Sequence, residues 1–264
     1  MPMPPDHLVR TPTTRARAVG RSLRIYYAPG RAAALDGFYR RFLRPGMLAF
    51  DIGAHVGDRT ASFRRLGAKV VAVEPQPDLV RLLHRLFGRD GEVSVVPALV
   101  GSASGSAELW VNRRNPTIST ASQAFIAAAD GAAGWDQERW DERLTCPVTT
   151  LDALADARGV PDFVKLDIEG FEAEALAGLS RPPPALSFEF TTIQRDVAHA
   201  CLRHLHALGY RWFNACLGES MRFAHARPIP ANAIADWLSA LPHAANSGDV
   251  YASDDPSRLM ADPG

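Results

Sequence analysis

FDIGAHVGDRT, residues 50–60, ends an apolar run that begins at Met47 and opens an amphipathic segment that closes at Gly67. A buried strand, a glycine-bearing turn and a helix form the first half of a nucleotide-binding unit. Gly53 and Gly57 let the backbone turn tightly and approach a ligand without a Cβ in the way. The dinucleotide fingerprint G-x-G-x-x-G is not completed, because the loop offers only Gly53-Ala54-His55-Val56-Gly57. The charges narrow the reading further. Asp51 ends the strand and Asp58 opens the helix, so two carboxylates flank the place where a pyrophosphate would sit. Two anions there repel phosphate, which otherwise favours a helix N-terminus.

Outward from this loop the chain alternates between two periods. KVVAVEP (69–75) reads as a second buried strand, DLVRLLHRLF (78–87) as a helix and VSVVPAL (93–99) as a third strand. Further on, DFVKLDI (162–168) and PALSFEF (184–190) read as strands divided by the helix FEAEALAGL (171–179). Continuous apolar strands separated by helices predict an α/β domain, its mostly parallel sheet covered on both faces. The alternation breaks between the third and fourth strands. There GSAELWVN (105–112) and CPVTTLDAL (146–154) look like strands on either side of a polar, Trp-bearing stretch, Arg113–Arg143. Before the loop, residues 1–20 predict little structure, SLRIYYAP (22–29) a short strand-like run, and Ala32–Leu43 a helix with Leu35, Phe38, Tyr39 and Phe42 on one side. After PALSFEF come a helix over Arg195–Leu208, then YRWFNACL, SMRFAHA, a short helix near Asn232–Leu238 and a final strand, GDVYA.

Composition sets outer bounds. The chain has 264 residues, 47% of them apolar, enough for one core and against a disordered class. Lys plus Arg and Asp plus Glu are balanced at 29 each, without the basic excess of a nucleic-acid binder. The basic concentration from Arg10 to Arg44 reads as a solvated tail. Cys146, Cys201 and Cys216 are odd in number and widely spaced, which argues against a disulfide framework or a zinc site and fits a reducing cytoplasm. No apolar run suits a secretory signal or a membrane span.

S-adenosylmethionine carries an ammonium, a sulfonium and one carboxylate, and no phosphate. It therefore fits this loop better than NAD does. Backbone N–H groups at Gly53 to Gly57 are expected to take the carboxylate, and Asp51 the ammonium. Glu74 ends the second strand, where an acid accepts both ribose hydroxyls. The third strand's end, Val96-Pro97-Ala98-Leu99, lies beside the adenine. His55 either touches the methionine end or the substrate, or points to solvent. The expected cofactor contacts are Asp51, Gly53, Ala54, His55, Gly57, Thr60, Glu74, Pro75 and Ala98.

VKLDIEGFEAEALAGL supplies the other informative run. Strand alternation puts Lys165, Asp167 and Glu169 on one side at the strand's C-terminal end, where ligands bind in open α/β sheets. Glu189 is the next acid along. Methyl transfer needs the acceptor atom held in line with the breaking bond, and a hydroxyl acceptor also needs a base. Asp167, Glu169 and Glu189 are the candidates, with Lys165 holding the group in place. Glu172 and Glu174 read as helix-start acids that favour the dipole. A divalent metal such as Mg²⁺ suits clustered carboxylates but is not favoured, and the lack of His or Cys in the cluster argues against zinc.

In this order FDIGAHVGDRT, VVAVEPQP, V-x-T-L-D (148–152) and FVKLDIEGFEAEALAGL closely resemble the FkbM family of methyltransferases, over about residues 46–190. The resemblance implies a class I methyltransferase, Rossmann-like fold with strand order 3-2-1-4-5-7-6 and an antiparallel seventh strand. It implies S-adenosyl-L-methionine as donor and mostly O-methylation in polyketide, sugar or polysaccharide pathways. By motif match Asp51, Gly53, Gly57 and Glu74 would contact the cofactor, and Asp167 and Glu169 would lie at the methyl-transfer end.

The expected organisation is an N-terminal extension (1–30), a single domain (31–255) with an insert at about 105–147, and a tail (256–264). Trp135, Trp140 and the Ser119-Thr120 pair are expected to form part of a substrate lid. The function expected is O-methylation of a hydroxyl on a sugar, polysaccharide or secondary metabolite. The acceptor is a small molecule or saccharide, without nucleic acid or membrane insertion, and a homodimer is left open. The rivals are an N-methyltransferase, a non-catalytic S-adenosylmethionine-binding module and a nucleotide-dependent oxidoreductase, the last opposed by the loop carboxylates.

Overall fold

In the computed structural model, which describes residues 13–262, the chain opens with α1 (Thr14–Tyr26) and α2 (Arg31–Tyr39). There follow β1 (Leu48–Ile52), α3 (Asp58–Arg65), β2 (Lys69–Val73), α4 (Pro77–Phe87) and β3 (Val93–Val96). The next elements are β4 (Leu99–Val100), β5 (Gly105–Val111), α5 (Gln123–Ala129), β6 (Glu142–Thr149) and α6 (Leu151–Arg158). Then come β7 (Phe163–Leu166), α7 (Glu172–Ala177), β8 (Ala185–Thr191), α8 (Arg195–Ala207), β9 (Trp212–Leu217), α9 (Ala231–Ala240) and β10 (Ser247–Ser253).

Seven strands form one sheet in the order β3-β2-β1-β7-β8-β10-β9. It is parallel from β3 to β8, and β10 runs antiparallel to both β8 and β9. With β4, β5 and β6 set aside, this is the expected order 3-2-1-4-5-7-6. Those three strands make a separate small sheet, β4-β6-β5.

Strand alternation divides the core between two faces. Phe50, Ile52, Val164, Leu166, Leu186 and Phe188 pack with Leu154, Leu176, Leu202 and Ile234 from α6 to α9. On the opposite face Ala49, Phe163, Ala185 and Tyr251 pack with Leu35, Phe38 and Tyr39 of α2 and Phe63 of α3. Phe42 is stacked on Phe163 at 4.7 Å and on Tyr251 at 5.5 Å. Each such ring, fully buried, contributes about 1.5–3 kcal/mol of transfer free energy.

The second face changes character toward the carboxyl ends of the parallel strands. Two residues beyond Ala49 stands Asp51, and beyond Phe163 stand Lys165 and then Asp167. Beyond Ala185 stand Ser187 and Glu189, and two before Tyr251 on the reversed β10 stands Asp249. A period of two thus carries one surface from apolar floor to charged edge.

Two local expectations are corrected. SLRIYYAP is not a strand, and residues 14–20 are not irregular, because both fall in α1 or at its end. Thr13 caps that helix, its hydroxyl accepting from the Ala16 N–H, and Ala18 and Ser22, one helical turn apart, are its buried residues. The arginines of the segment, Arg15, Arg17, Arg21 and Arg24, favour a helix, which outweighs the short β-like run. CPVTTLDAL is strand only to Thr149. Thr150 then caps α6, its side chain accepting from the Ala153 N–H at 3.0 Å, so LDAL is helical. The expectation for residues 1–12 lies outside the described residues.

Candidate active site

The turn after β1 bends through Gly53, His55 and Gly57, all with positive φ (81°, 48° and 79°). A Cβ on Gly53 would stand 1.9 Å from the carbonyl oxygen of Asp167, so only glycine lets this turn touch the turn after β7. Gly57 serves another contact. A Cβ there would meet Phe87 at 2.6 Å and Leu83 at 2.8 Å, so its bare backbone lets α4 pack close and does not face the pocket.

The loop's N–H groups are not where the sequence placed them. Gly53 and Ala54 both donate to the Val73 carbonyl, and Gly57 donates to the Ala54 carbonyl. His55 donates to Glu74 Oε2 at 2.9 Å. The turn uses these four donors itself, so they do not take a ligand carboxylate, and the expectation that they would is corrected. Of the expected N–H groups only that of Val56 has no partner among the described residues.

Asp51 is 2% exposed and lines the pocket. The Thr60 hydroxyl donates to its Oδ2 at 2.5 Å. Burial pushes the carboxyl up to about 6, partly countered by Thr60 and by the charge of Lys165. Thr60 itself is wholly buried beneath Asp51 and does not line the pocket. Glu74 is also 2% exposed and lines the pocket with Pro75 and Ala54. It accepts N–H bonds from His55 and Gln76, both at 2.9 Å, while burial pushes it up to about 7. Each oxygen keeps a second lone pair, so two further hydroxyl donors can be received. Leu99 and Val100 line the wall expected beside adenine, while Ala98, though buried, does not.

Asp58 departs from its expected role. Its Oδ2 accepts from Arg59 at 2.6 Å and from Arg31 at 3.2 Å. Burial opposes its charge, but the two guanidinium groups hold the carboxyl below the usual range. The phosphate-repelling charge at the pocket therefore comes from Asp51 and Glu74, with Asp58 neutralised in place. His55 does not point to solvent. The Tyr26 ring meets it edge-on at 5.3 Å, Thr117 lies 3.5 Å from its Nε2, and burial lowers it to about 4, so it is a neutral imidazole.

The neighbouring strand, β7, delivers the acidic group. Lys165 is 2% exposed, and its Nζ donates to Asp167 Oδ2 at 2.6 Å and lies 3.8 Å from Asp249 Oδ1. Burial would raise Asp167, but Lys165 holds it below the usual carboxylate range. Strand alternation does not carry Glu169 to this group, because β7 ends at Leu166. Glu169 arrives through a left-handed turn, with φ 55° followed by Gly170 at 87°. Glu172 makes that turn possible. It accepts the N–H groups of Ile168 and Gly170, both at 3.0 Å, from a position 2% exposed, so it is more than a helix-start acid. One oxygen each from Asp167, Glu169 and Glu189 lie within 4.8 Å of one another. Burial and the charge of Asp167 push Glu169 and Glu189 well above the usual range. Lys165 already supplies this cluster with a cation. Asp167, Glu169 and Lys165 line the same pocket as Asp51 and Glu74, whereas Glu189 stands behind it beside Gln194.

The insert and α1 build the remaining walls. Pro116, Thr117, Ser119 and Ala121 line the pocket, and the Thr120 hydroxyl donates to the Glu169 carbonyl at 2.6 Å. Trp135 and Trp140 do not reach it. They line a separate groove with Trp110, the Trp140 indole N–H donating to the Ile118 carbonyl at 2.8 Å. α1 lies across the loop, with the Tyr27 hydroxyl donating to the Val56 carbonyl at 3.1 Å. Arg15 reaches Gln76 and Glu142, both at 3.3 Å, and pairs with Asp78. Tyr26, Arg59, Gln76, Thr117 and Asp249 were not singled out in the sequence. Only Asp249 carried a signal, since GDVYA has the same alternation of acid and apolar residue as the other strands.

The donor set suits S-adenosylmethionine, with carboxylates at Asp51 and Glu74 for an ammonium and a diol. Solved structures similar to the chain include a TehB-like SAM-dependent methyltransferase from Corynebacterium glutamicum, 11% identical, with a TM-score of 0.46 over 89% of this chain and 96% of that one. A precorrin-6Y C5,15-methyltransferase from Geobacter metallireducens is 12% identical, with 0.42 over 85% and 88%. Aeropyrum pernix fibrillarin, solved with bound S-adenosyl-L-methionine, is 11% identical, with 0.40 over 84% and 72%. No curated protein matches the sequence. The family model described as "Methyltransferase FkbM domain" matches residues 51–212, from the acid at the first strand's end to the start of β9, and the chain belongs to the FkbM methyltransferase family, with S-adenosylmethionine as its methyl donor.

Proposed function

We propose that this chain methylates a hydroxyl oxygen on a sugar, a polysaccharide or a secondary metabolite. The observation that carries this reading is Asp167, a carboxylate held ionised by Lys165 in the same pocket as Asp51 and Glu74. A hydroxyl acceptor needs a proton acceptor at the moment of transfer, whereas an amine free base does not. When bound, S-adenosylmethionine supplies a methyl carbon made electrophilic by the adjacent sulfonium.

The chain's own groups divide the remaining work. Asp51 receives the ammonium, with Thr60 fixing its orientation. Glu74 accepts the ribose hydroxyls, and Gly53, Ala54, Pro75 and Leu99 shape the walls. Asp167 accepts the hydrogen bond of the acceptor hydroxyl and then its proton, with Lys165 holding the carboxylate in line. Glu169, whose protonated form is favoured by burial and by the charge of Asp167, donates a hydrogen bond that orients the acceptor. Glu189 stands behind them. Carboxyl groups in one site whose environments push them apart serve opposite roles in proton transfer.

We assign residues 31–255 to the methyltransferase domain, with 105–147 as its insert, 1–30 as an extension and 256–264 as a tail. The segment 116–121, rather than the tryptophans, acts as the wall over the acceptor. Free thiols at all three cysteines, each buried, suit a cytoplasmic enzyme. The test is transfer of an isotopically labelled methyl group from S-adenosylmethionine to parallel libraries of sugars, phenols and amines. Label on oxygen, lost in Asp167→Asn, supports the reading. Label on nitrogen, or undiminished label in Asp167→Asn, overturns it.

A further inference from the structure

The amino-acid end of the cofactor carries a carboxylate as well as an ammonium. The turn after β1 leaves that carboxylate with one of its expected N–H partners, Val56, since Gly53, Ala54, His55 and Gly57 all donate within the protein, and one N–H cannot neutralise its charge. Among the described residues, two cationic side chains whose charged groups are buried line the pocket. Lys165 is committed to Asp167 and Asp249. The other is Arg59, 5% exposed, which shares the pocket with Tyr26, Asp51, His55 and Asp167.

Arg59 is only partly used. Nη1 donates to Asp58 and Nη2 to Glu219, while the buried Nε has no partner among the described residues. A guanidinium presents five N–H donors in a planar fork that matches a carboxylate. Glu219 differs from Asp58 in kind. It lies between β9 and α9 with its side chain 44% exposed, and it also accepts from Arg31 at 2.9 Å. Asp58 is a buried fixture, and Glu219 a solvent-facing carboxylate that water can receive.

We propose that Arg59 binds the carboxylate of S-adenosylmethionine while Asp51 binds its ammonium, and that Glu219 occupies Arg59 until the ligand's carboxylate takes its place. A zwitterion then meets an acid and a guanidinium side by side, and the exchange at Arg59 trades one carboxylate for another with no change in charge. The inference rests on Glu74 and Asp51 holding the cofactor's other groups.

Two ligands separate these claims. S-adenosylhomocysteine has the amino-acid end, and 5′-methylthioadenosine has the nucleoside without it. Calorimetry on the full chain compares wild type, Arg59→Gln and Glu219→Gln. Arg59→Gln is expected to weaken S-adenosylhomocysteine about tenfold or more and 5′-methylthioadenosine less than twofold. Glu219→Gln removes the competing charge at an exposed position, so S-adenosylhomocysteine should bind roughly threefold or more tighter, with 5′-methylthioadenosine unchanged. Equal loss for both ligands in Arg59→Gln, or loss for neither, overturns the assignment. If Arg59→Gln does not fold, Glu219→Gln decides, and absence of tightening overturns it. Failure of S-adenosylhomocysteine to bind wild type would instead remove the cofactor reading beneath it.

Discussion

The turns that follow β1 and β7 leave neighbouring parallel strands at the same edge, and both pass through left-handed backbone. After β1 two of the three left-handed positions are glycine, at Gly53 and Gly57, where that conformation carries little penalty. After β7 the first is Glu169, for which it costs energy, and Glu172 offsets this by accepting the N–H groups of Ile168 and Gly170. One turn is shaped by glycine to pack closely against its neighbours, the Asp167 turn and α4. The other spends stability to put a carboxyl group where strand geometry would not deliver it. On the proposed assignment, the strain is held on the acceptor side.

The two turns are also pressed together, which gives the largest expected effect. Gly53→Ala would place a Cβ 1.9 Å from the Asp167 carbonyl at a φ of 81°. Backbone cannot yield there cheaply, so a loss on the order of 3–5 kcal/mol is expected in urea unfolding, with S-adenosylhomocysteine binding abolished. A shift below about 1 kcal/mol would mean that the turns move independently. Next comes separation of the two halves by Asp167→Asn. Turnover should fall by roughly 10²–10⁴, with S-adenosylhomocysteine affinity changed less than about threefold. A parallel collapse of affinity would assign Asp167 to the cofactor side.

A pH dependence distinguishes the turns more gently. Burial raises Glu74 and Glu172 to about 7 in the fold. The stability they contribute is fully present below the ordinary carboxylate value of 4.5 and is lost as pH rises through 7. His55 has the opposite sign. Lowered to about 4 from 6.5, it adds stability as pH rises between those values. Above 6.5 the carboxyl groups act alone, so the ligand-free melting temperature should decline from there to about pH 8. Glu172→Gln should flatten its share, roughly 1 kcal/mol, whether or not ligand is bound. The share of Glu74 should shrink when S-adenosylhomocysteine is present, because ribose hydroxyls favour its ionised form. A melting temperature that rises over this interval would contradict the assignment of both groups.

The difference between the turns also explains what the sequence disclosed. Strand period and glycine placement are local, so FDIGAHVGDRT announced β1, its turn and α3, and Glu74 followed from the next strand's end. The roles of Asp58 and of the loop N–H groups were misjudged because their partners come from elsewhere. Arg31 lies 27 residues away from Asp58, and the Val73 carbonyl belongs to the adjoining strand. Glu169 was named for a wrong reason, since alternation stops at Leu166 and the turn does the placing. α1 was missed because its buried stripe is only Ala18 and Ser22, too small to register against a run of Ile25, Tyr26 and Tyr27. Tyr26 and Arg15 therefore entered the site unannounced.

The smallest expected effect tests support beneath the first turn. Thr60 is wholly buried, makes no contact with the pocket and donates to Asp51 at 2.5 Å. Thr60→Val keeps the shape and removes the hydroxyl, so about 1 kcal/mol should be lost from the bond to a charged acceptor. Asp51, already raised to about 6 by burial, should rise further once that bond is gone. Its ionised form is the one that meets an ammonium. The penalty on S-adenosylhomocysteine binding should therefore be only a few-fold at pH 8 and grow toward pH 6, as Asp51 gains its proton. A penalty that is flat across this range would leave Thr60 as packing alone. A penalty that grows would show that Asp51 works by its charge, as Glu172 beneath the second turn works by its hydrogen bonds.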